Sequence, residues 1–532
     1  MKSQALTQAR SPRWREGSLL IISAFLSGLA HPPLGASWLM LIAPAPLFAL
    51  IIQTRARTGF GYGWLWSFVY YLTLGHPLIY LIRLQTESVA LGVVGLVLVA
   101  GLSALFGGLF GVLASQMPRN LLGVLGAAGA WAFTQYLRGL GPFAFVWGHW
   151  SVALYDLPIL LQPADLVGAW GMEFLLALWN GLLVYAMWLW QGRRRGALTA
   201  LATGMLLGVG VWLAYGSIKM GEWRLANARV GQSTRLIALV QPNVNLAARY
   251  TPESWVPIRE RIAEQVRQAG GITRDWRKRL NQPPHPDLIV LPEVIEPFAM
   301  PDNEPAFLFW KSLAQEVQTP LLVGGYRVAQ NEPRQIANTM HLFLPDSGWQ
   351  YHDKLQLVPM GEYVPYRQFL PFLSVFGVVE EDMYAGGDLK PLQAGDLKIG
   401  AVICMESTYP WIARGMTNAG ANLIVIGSNE SWFGRTAALE QHLAFGVLRA
   451  IETRRWVVRC APEGISAFIS PSGEIVRRAP AFQPAVESIS INPITPETLY
   501  LRWGDWGMWV GVGFILLGMG YLRFEGSRES PR

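Results

Sequence analysis

Long apolar runs fill the first two fifths of the chain and return near its carboxyl end. A helix needs about 20 mostly apolar residues to cross the hydrocarbon core of a bilayer. The second run contains Pro44 and Pro46, which transmembrane helices tolerate where neighbouring groups satisfy the freed carbonyls. The pattern predicts a bundle of about eight transmembrane helices. The runs lie near 17–34, 37–53, 60–82, 88–115, 121–140, 164–190, 197–216 and 504–522.

The segment between the last two runs has a different pattern, with short apolar stretches separated by amphipathic ones. Short continuous apolar stretches are typical of strands buried on both faces, so the segment predicts a layered α/β domain. The predicted strands are Leu236–Val240, Leu288–Leu291, Leu321–Val323, Ile399–Ile403, Leu423–Ile426 and Trp456–Val458. The predicted helices include Glu253–Ala269, Ala306–Glu316 and Leu439–Thr453.

These patterns divide the chain into three parts: a bundle of about seven helices over 1–216, an α/β domain over 217–500, and a last transmembrane helix with a tail over 501–532. Composition agrees with a membrane protein, since hydrophobic residues make up 52% and charged residues only 15%. The net charge of +7 indicates a bilayer with anionic lipid rather than nucleic acid as the partner, because Lys and Arg cluster at the ends of the apolar runs.

Basic residues also orient the bundle, because cytoplasmic loops are enriched in Lys and Arg. Every even-numbered connection is basic, so both termini are expected in the cytoplasm and segment 217–500 on the opposite side. A cleaved signal peptide is the alternative for the first run, but His31-Pro32-Pro33 is a poor cleavage context. The orienting basic residues are Lys2, Arg10, Arg13, Arg15, Arg55, Arg57, Arg119, Arg193, Arg194, Arg195, Arg523, Arg528 and Arg532.

Two cysteines, Cys404 and Cys460, are too few for a disulfide framework. The seven histidines have no zinc-ligand spacing, so neither a metal nor another cofactor is expected. Cys460 ends an apolar stretch and is expected to be a buried thiol. Cys404 could be inert or paired with Cys460, but its position after a predicted strand also suits a nucleophile.

Glu293, Lys354 and Cys404 together would form an acyl-transfer set. Glu293 could take the thiol proton, and Lys354 could stabilise the oxyanion together with backbone N–H groups after Cys404. Spacing alone is weak support, since any long chain contains these three residue types.

The local motifs are more specific. Residues 287–293, 351–365 and 400–406 resemble, in the same order, the three motifs of the carbon–nitrogen hydrolase (nitrilase) superfamily. The resemblance implies a four-layer α-β-β-α sandwich, with Glu293 as base, Lys354 as oxyanion stabiliser and Cys404 as nucleophile. It also implies supporting roles for Glu362, beside Lys354, and for Glu406, in the active-site loop.

The order of membrane helices and hydrolase domain resembles the apolipoprotein N-acyltransferase family over nearly the whole chain. This resemblance implies an enzyme of the bacterial inner membrane with a periplasmic catalytic domain. Cys404 would accept an acyl chain from a membrane phospholipid, typically phosphatidylethanolamine, and hold it as a thioester. The acceptor would be the α-amine of an S-diacylglyceryl-cysteine at a lipoprotein N-terminus. We expect a monomer without cofactor.

Several positions bear on substrate preference. Met405 stands where the family commonly has Tyr, and Tyr250 where it usually has Trp. Arg138 and Glu173 lie near the ends of apolar runs, where interfacial anchoring is the first expectation and a functional role the second. The candidate substrate-binding residues are Arg138, Tyr250, Met405, Asn429, Trp432 and Phe433.

Two other function classes stay open at this point. A membrane-tethered amidase acting on a small amide would use the same three residues, but a single anchor helix would suffice for it. A transporter or scaffold with an inactive domain would not need an intact Glu-Lys-Cys set, and the chain lacks the internal repeats typical of transporters.

Overall fold

A computed structural model gives the fold of the protein and describes residues 13–228, 230–244, 252–330, 334–371, 374 and 380–529. Short 3₁₀ helices cover Ser37–Leu41, Ser151–Leu154, Cys404–Thr408 and Glu430–Phe433. The α-helices are α1 (Arg13–Leu29), α2 (Ala45–Ile51), α3 (Ala56–Gly75), α4 (Pro77–Thr86), α5 (Val89–Ser115), α6 (Leu121–Arg138), α7 (Pro158–Leu161), α8 (Ala164–Gln191), α9 (Arg195–Ala228), α10 (Pro252–Gly270), α11 (Asp275–Arg279), α12 (Glu304–Glu316), α13 (Pro410–Asn418), α14 (Ala438–Thr453), α15 (Leu499–Trp503) and α16 (Trp506–Glu529).

By length and composition, four helices within the described ranges could cross a membrane, namely α5, α8, α9 and α16. The bent pair α3 and α4 makes a fifth if it counts as one broken span. The expected count of eight is therefore not confirmed, although several of the described helices are long and apolar enough to span a membrane.

Two of the expected spans are not single helices. The run near 37–53 forms the 3₁₀ turn Ser37–Leu41 followed by α2, because Pro44 and Pro46 have no N–H to donate and fit only at a helix start. The run near 60–82 bends by 63° between α3 and α4, where Pro77 begins the second helix. Prolines thus break both runs rather than being absorbed into continuous spans.

Small residues bring the membrane helices close together. A Cβ added at Gly63 of α3 would lie 2.0 Å from the backbone oxygen of Gly107 in α5, so only glycine permits this approach. In the same bundle, α6 packs against both α8 and α16. The helix near the carboxyl end of the chain is therefore part of the same bundle as the helices near its start.

Among the described residues, twelve strands form two six-stranded sheets, with strand orders β12-β1-β2-β3-β4-β5 and β11-β10-β9-β8-β7-β6. In each sheet the central strands, β1 to β3 and β7 to β9, run parallel and the outer ones antiparallel. The strands are β1 (Arg235–Gln241), β2 (Leu288–Val290), β3 (Leu321–Val328), β4 (Ile336–Phe343), β5 (Trp349–Asp353), β6 (Leu392–Ala394), β7 (Leu397–Ile403), β8 (Leu423–Gly427), β9 (Trp456–Cys460), β10 (Ala467–Ile469), β11 (Ile475–Arg478) and β12 (Ala485–Ile491).

The two sheets face each other across an apolar layer that includes Leu239, Val290, Ile403 and Val425. Helices α10 and α12 cover the outer face of the first sheet. Helices α13 and α14 cover the second sheet, and their apolar side chains continue into the core of the membrane bundle. This is the predicted α-β-β-α sandwich, with the bundle packed against one of its helical layers.

Candidate active site

Glu293 lies just past the carboxyl end of β2 and is only 4% exposed. The neighbouring strand β3 approaches it closely, since a Cβ at Gly324 would lie 2.6 Å from the Cα of Glu293. The Asn338 side chain donates a hydrogen bond to Glu293 Oε1 at 2.7 Å. The backbone and one carboxylate oxygen of Glu293 are thus fixed by the adjoining strands.

Lys354 follows the last residue of β5 and is 1% exposed. Its Nζ lies 2.8 Å from Glu362 Oε1 and 3.5 Å from Glu293 Oε1. Asn338 Nδ2 also donates to Glu362 Oε1, at 2.9 Å. Burial disfavours the ammonium, but the carboxylates of Glu362 and Glu293 outweigh it and raise the pKa of Lys354, which therefore stays charged.

Cys404 begins the 3₁₀ helix that follows β7, and its backbone is left-handed, with φ of 54°. Burial and the charge of Glu293 raise the pKa of the Cys404 thiol to about 12, against the opposing effect of Lys354. The Cys404 thiol therefore stays protonated at neutral pH unless a base takes its proton. Ser428 Oγ lies 3.7 Å from Cys404 Sγ.

Glu406 joins the segment after Lys354 to the 3₁₀ turn Cys404–Thr408, which we name the nucleophile turn after the role proposed below for Cys404. Its Oε1 accepts backbone hydrogen bonds from Leu355 at 2.6 Å and Gln356 at 3.0 Å, and its Oε2 accepts one from Ile403 at 2.6 Å. Burial raises the pKa of Glu406 to about 7, while the three N–H donors and Lys354 act in the opposite direction. The structure thus places Glu293, Lys354, Cys404, Glu362 and Glu406 in one cluster.

A second buried polar group lies behind the nucleophile. His442 Nε2 is 3.1 Å from the backbone oxygen of Cys404 and 3.0 Å from Ser407 Oγ. On its other side, His442 Nδ1 lies 3.0 Å from Arg459 Nη2 and 3.1 Å from Glu430 Oε1. We did not predict this group from the sequence, although Glu430 and His442 are both fully buried.

The loop after α6 connects the membrane bundle to the site by direct contacts. Tyr409, just past the nucleophile turn, donates its hydroxyl to the backbone oxygen of Ala144 at 2.9 Å. Trp147 Nε1 donates to Gln441 Oε1 at 2.7 Å, and the Trp147 ring lies 5.7 Å from that of His442. The bundle therefore contacts the elements that position Cys404.

Arg138 and Glu173 are 2% and 0% exposed, so the expectation that they are interfacial anchors is wrong. Arg138 Nη1 donates to the backbone oxygens of Phe145 and Trp147, the latter at 2.8 Å. Glu173 Oε2 accepts from Trp131 Nε1 at 3.0 Å. Tertiary hydrogen bonds from the loop and a neighbouring helix hold both side chains inside the bundle.

The remaining substrate-binding candidates have different surroundings. Met405 and Trp432 are partly buried, and Asn429 is 5% exposed, with its backbone N–H directed to the Cys404 thiol. Phe433 packs against Trp147 with ring centroids 6.0 Å apart. Tyr250 lies outside the described residues.

Cys404 and Cys460 are both free, which excludes the alternative of a disulfide between them. Cys460 is fully buried, as predicted, and its thiol donates to the backbone oxygen of Val240 at 3.2 Å. Within the described ranges, no group of three or more His, Cys, Asp or Glu side chains is placed to hold a metal ion.

The two family models that match the chain agree with this architecture. The family model described as carbon-nitrogen hydrolase matches residues 236–500, and that of the apolipoprotein N-acyltransferase N-terminal domain matches residues 23–182. A solved structure of Saccharomyces cerevisiae Nit3, of the nitrilase superfamily, is 19% identical with a TM-score of 0.38, covering 52% of this chain and 97% of its own.

Relatives named apolipoprotein N-acyltransferase match almost end to end. The one from Geobacter metallireducens is 28% identical over 94% of this chain and 93% of its own. The one from Azotobacter vinelandii is 29% identical over 98% and 97%.

The domain that carries Cys404 is thus of the carbon–nitrogen hydrolase class, joined to a membrane bundle. Relatives named apolipoprotein N-acyltransferase match across both domains, and the family model for the N-terminal part has the same name. The chain therefore belongs to the apolipoprotein N-acyltransferase family.

Proposed function

We propose that the protein transfers an acyl chain from a membrane phospholipid, such as phosphatidylethanolamine, to the α-amine of the S-diacylglyceryl-cysteine that begins an apolipoprotein. The names of the relatives given above describe acyl transfer to apolipoproteins. The packing of the bundle against the nucleophile turn supports the same activity here. Cys404, Glu293 and Lys354 are the proposed catalytic residues. The protein acts as a monomer and needs no cofactor.

In the first half-reaction, Glu293 takes the proton of the Cys404 thiol, and the sulfur attacks the ester carbonyl of the phospholipid. The carbonyl oxygen becomes an oxyanion beside the ammonium of Lys354 and the N–H groups at the start of the nucleophile turn. When the tetrahedral intermediate collapses, the ester C–O bond breaks and the alkoxide leaves with the proton from Glu293. Lysophospholipid departs and a thioester remains.

In the second half-reaction, the α-amine of the diacylated acceptor attacks the thioester carbonyl. Glu293 takes a proton from the attacking nitrogen and returns it to the sulfur as the C–S bond breaks. The product is an amide, and Cys404 is restored as a thiol. The raised pKa of that thiol keeps it protonated afterwards, and a protonated thiol does not attack the new amide.

The observation that carries the proposal is the contact between membrane loop and nucleophile turn. Tyr409 donates to Ala144, and Tyr363, one residue past Glu362, donates to the backbone oxygen of Pro142 at 2.5 Å. Both accepting carbonyls belong to the loop after α6. An amidase acting on a small soluble amide has no need for such contacts, whereas an enzyme whose two substrates are both lipid-anchored does.

We also propose eight crossings, with both termini in the cytoplasm and the catalytic domain in the periplasm of a bacterial inner membrane. The three-part division at 1–216, 217–500 and 501–532 follows this topology. Basic residues at each even-numbered connection support it. Protease added to intact spheroplasts should cut the catalytic domain and spare epitope tags at both ends, and cleavage of either tag would contradict this orientation.

The function is tested with purified protein, phosphatidylethanolamine and a synthetic diacylated lipopeptide. The lipopeptide should gain the mass of one acyl chain, and Cys404→Ser should abolish the gain. Cys460→Ser is the matched control, because it alters the other buried free thiol and should stay active. Lipopeptide left unchanged by folded wild-type protein that hydrolyses small amides would instead identify a tethered amidase.

A further inference from the structure

Consecutive residues of α14 face two different parts of the molecule. Gln441 Nε2 donates to the backbone oxygens of Pro32 at 3.0 Å and Leu74 at 3.4 Å, both in the membrane bundle. His442 reaches the backbone oxygen of Cys404. The helix that lies behind the nucleophile is thus fixed to the bundle at the position next to His442, and His442 itself is fully buried.

The hydrogen-bond roles at His442 follow from its partners. A backbone oxygen can only accept, so the contact with Cys404 requires the hydrogen on Nε2. Nδ1 then accepts from Arg459 Nη2 at 3.0 Å, and it also lies 3.1 Å from Glu430 Oε1, another acceptor of that guanidinium nitrogen. Arg459 Nη2 also donates to Glu430 Oε1, so a buried ion pair holds the ring in this orientation.

The carbonyl of Cys404 accepts a second hydrogen bond, from Ser407 Oγ at 2.9 Å. Two donors on one peptide oxygen polarise that peptide and strengthen the N–H at its other end. That N–H belongs to Met405, the second residue of the 3₁₀ turn, where a helical turn leaves N–H groups without internal acceptors. The left-handed backbone at Cys404, with φ of 54°, also needs such support.

We propose that His442 is a positioning residue that fixes and polarises the peptide between Cys404 and Met405 for oxyanion stabilisation. The role rests on the proposed acyl transfer at Cys404. His442 touches no reacting atom and acts through the backbone. Glu430 and Arg459 act one step further away, by holding the imidazole ring.

Four variants test the role. His442→Leu removes the donor, and His442→Gln keeps an N–H near the position of Nε2. Ser407→Ala removes the second donor to the Cys404 oxygen. Thr408→Val is the matched control, because Thr408 Oγ1 donates at 2.7 Å to the next carbonyl along the same turn, that of Met405.

The readouts are the single-turnover rate of acyl-enzyme formation from phosphatidylethanolamine, the KM for that lipid and the melting temperature. His442→Leu should slow acylation by about tenfold or more at unchanged KM, less than the roughly 100- to 1,000-fold typical of losing an oxyanion donor outright. His442→Gln should recover most of the rate. Ser407→Ala should be slower than Thr408→Val even if both lower the melting temperature equally.

Three outcomes would overturn the positioning role of His442. Folded His442→Leu with the wild-type acylation rate would overturn the proposal. If neither His442 variant folds, the serine and threonine variants decide, and equal rates for those two would overturn it. Wild-type protein that forms no acyl-enzyme would refute the proposed function itself, and the positioning role with it.

Discussion

The Glu406 carboxylate accepts the backbone N–H of Leu355 at 2.6 Å, which ties the residue after Lys354 to the turn that carries Cys404. The other carboxylate oxygen holds Ile403, the residue before the nucleophile. One buried side chain therefore sets the distance between two proposed catalytic groups that come from different sheets.

Glu406→Gln should lower both stability and activity. One carboxylate oxygen becomes an N–H₂ group facing backbone N–H donors, so we expect a loss of about 1–3 kcal/mol in the free energy of unfolding. The acyl-transfer rate should fall by about 10- to 100-fold, since small displacements of catalytic groups have effects of this size. Thermal unfolding and lipopeptide acylation measure both. Glu487→Gln, at an exposed ion pair, is the control and should change neither, whereas normal activity in Glu406→Gln would contradict the positioning role.

Glu293→Gln should change two reactions of Cys404 in opposite directions. Loss of the Glu293 charge removes one cause of the raised thiol pKa, so more thiolate forms beside Lys354 at pH 8 to 9. Iodoacetamide should then alkylate Cys404 faster, by about tenfold for each unit by which the pKa falls. Acyl transfer should instead fall by about 100- to 10,000-fold, because the general base is lost.

In the wild type, alkylation of Cys404 should keep rising through pH 9, because its pKa is raised to about 12 and the thiol remains protonated below that value. Mass spectrometry of the alkylated peptide follows the rate, and exposed Glu304→Gln should leave it unchanged. Parallel losses of alkylation and acyl transfer in Glu293→Gln would refute the assignment of Glu293 as base.

Arg138→Gln should destabilise the loop after α6. The guanidinium donates to two backbone oxygens of that loop, so its loss leaves buried acceptors unpaired at about 1–3 kcal/mol each. Arg138→Lys should not restore stability, since an ammonium lacks the planar fork. Thermal unfolding is the measurement, with exposed Arg83→Gln as control. A variant with wild-type stability and a raised KM for phospholipid would indicate direct substrate contact instead.

Asp165 and Arg454 should be energetically coupled across the two domains. Arg454 Nη2 lies 2.7 Å from Asp165 Oδ2, and both side chains are buried. Replacing either by Ala should lower the free energy of unfolding by about 3–5 kcal/mol, because the other charge stays buried. The double variant should lose less than the sum. Strictly additive losses would contradict an energetic coupling between Asp165 and Arg454. The exposed Arg477–Glu487 pair is the control and should couple by about 1 kcal/mol or less.

The sequence predicted those strands whose residues are buried on both faces. All six predicted strands exist as β1, β2, β3, β7, β8 and β9, which form the parallel centres of the two sheets. Outer strands such as β5 and β12 escaped prediction because polar residues interrupt them, and the apolar run of β10 has only three residues. In β11, Ile475–Arg478, the last three residues are exposed, so the sheet rather than the local pattern determines that strand.

The sequence predicts only those site residues that lie within local motifs. The motifs around Glu293, Lys354 and Cys404 named groups that the fold brings together. His442 could not be predicted in its position, because it meets Cys404 only after α14 packs behind the sheet. Arg138 was misjudged for a similar reason, since its burial depends on loop carbonyls that the apolar pattern does not locate.

The most direct test is the intact mass of the purified protein after incubation with phosphatidylethanolamine and no acceptor. The protein should gain one acyl chain that hydroxylamine removes, that is absent from Cys404→Ser and that remains in Cys460→Ser. A diacylated lipopeptide added afterwards should discharge the adduct and gain the same mass. A folded wild-type protein that acquires no adduct, or an adduct that persists in Cys404→Ser, would contradict the account.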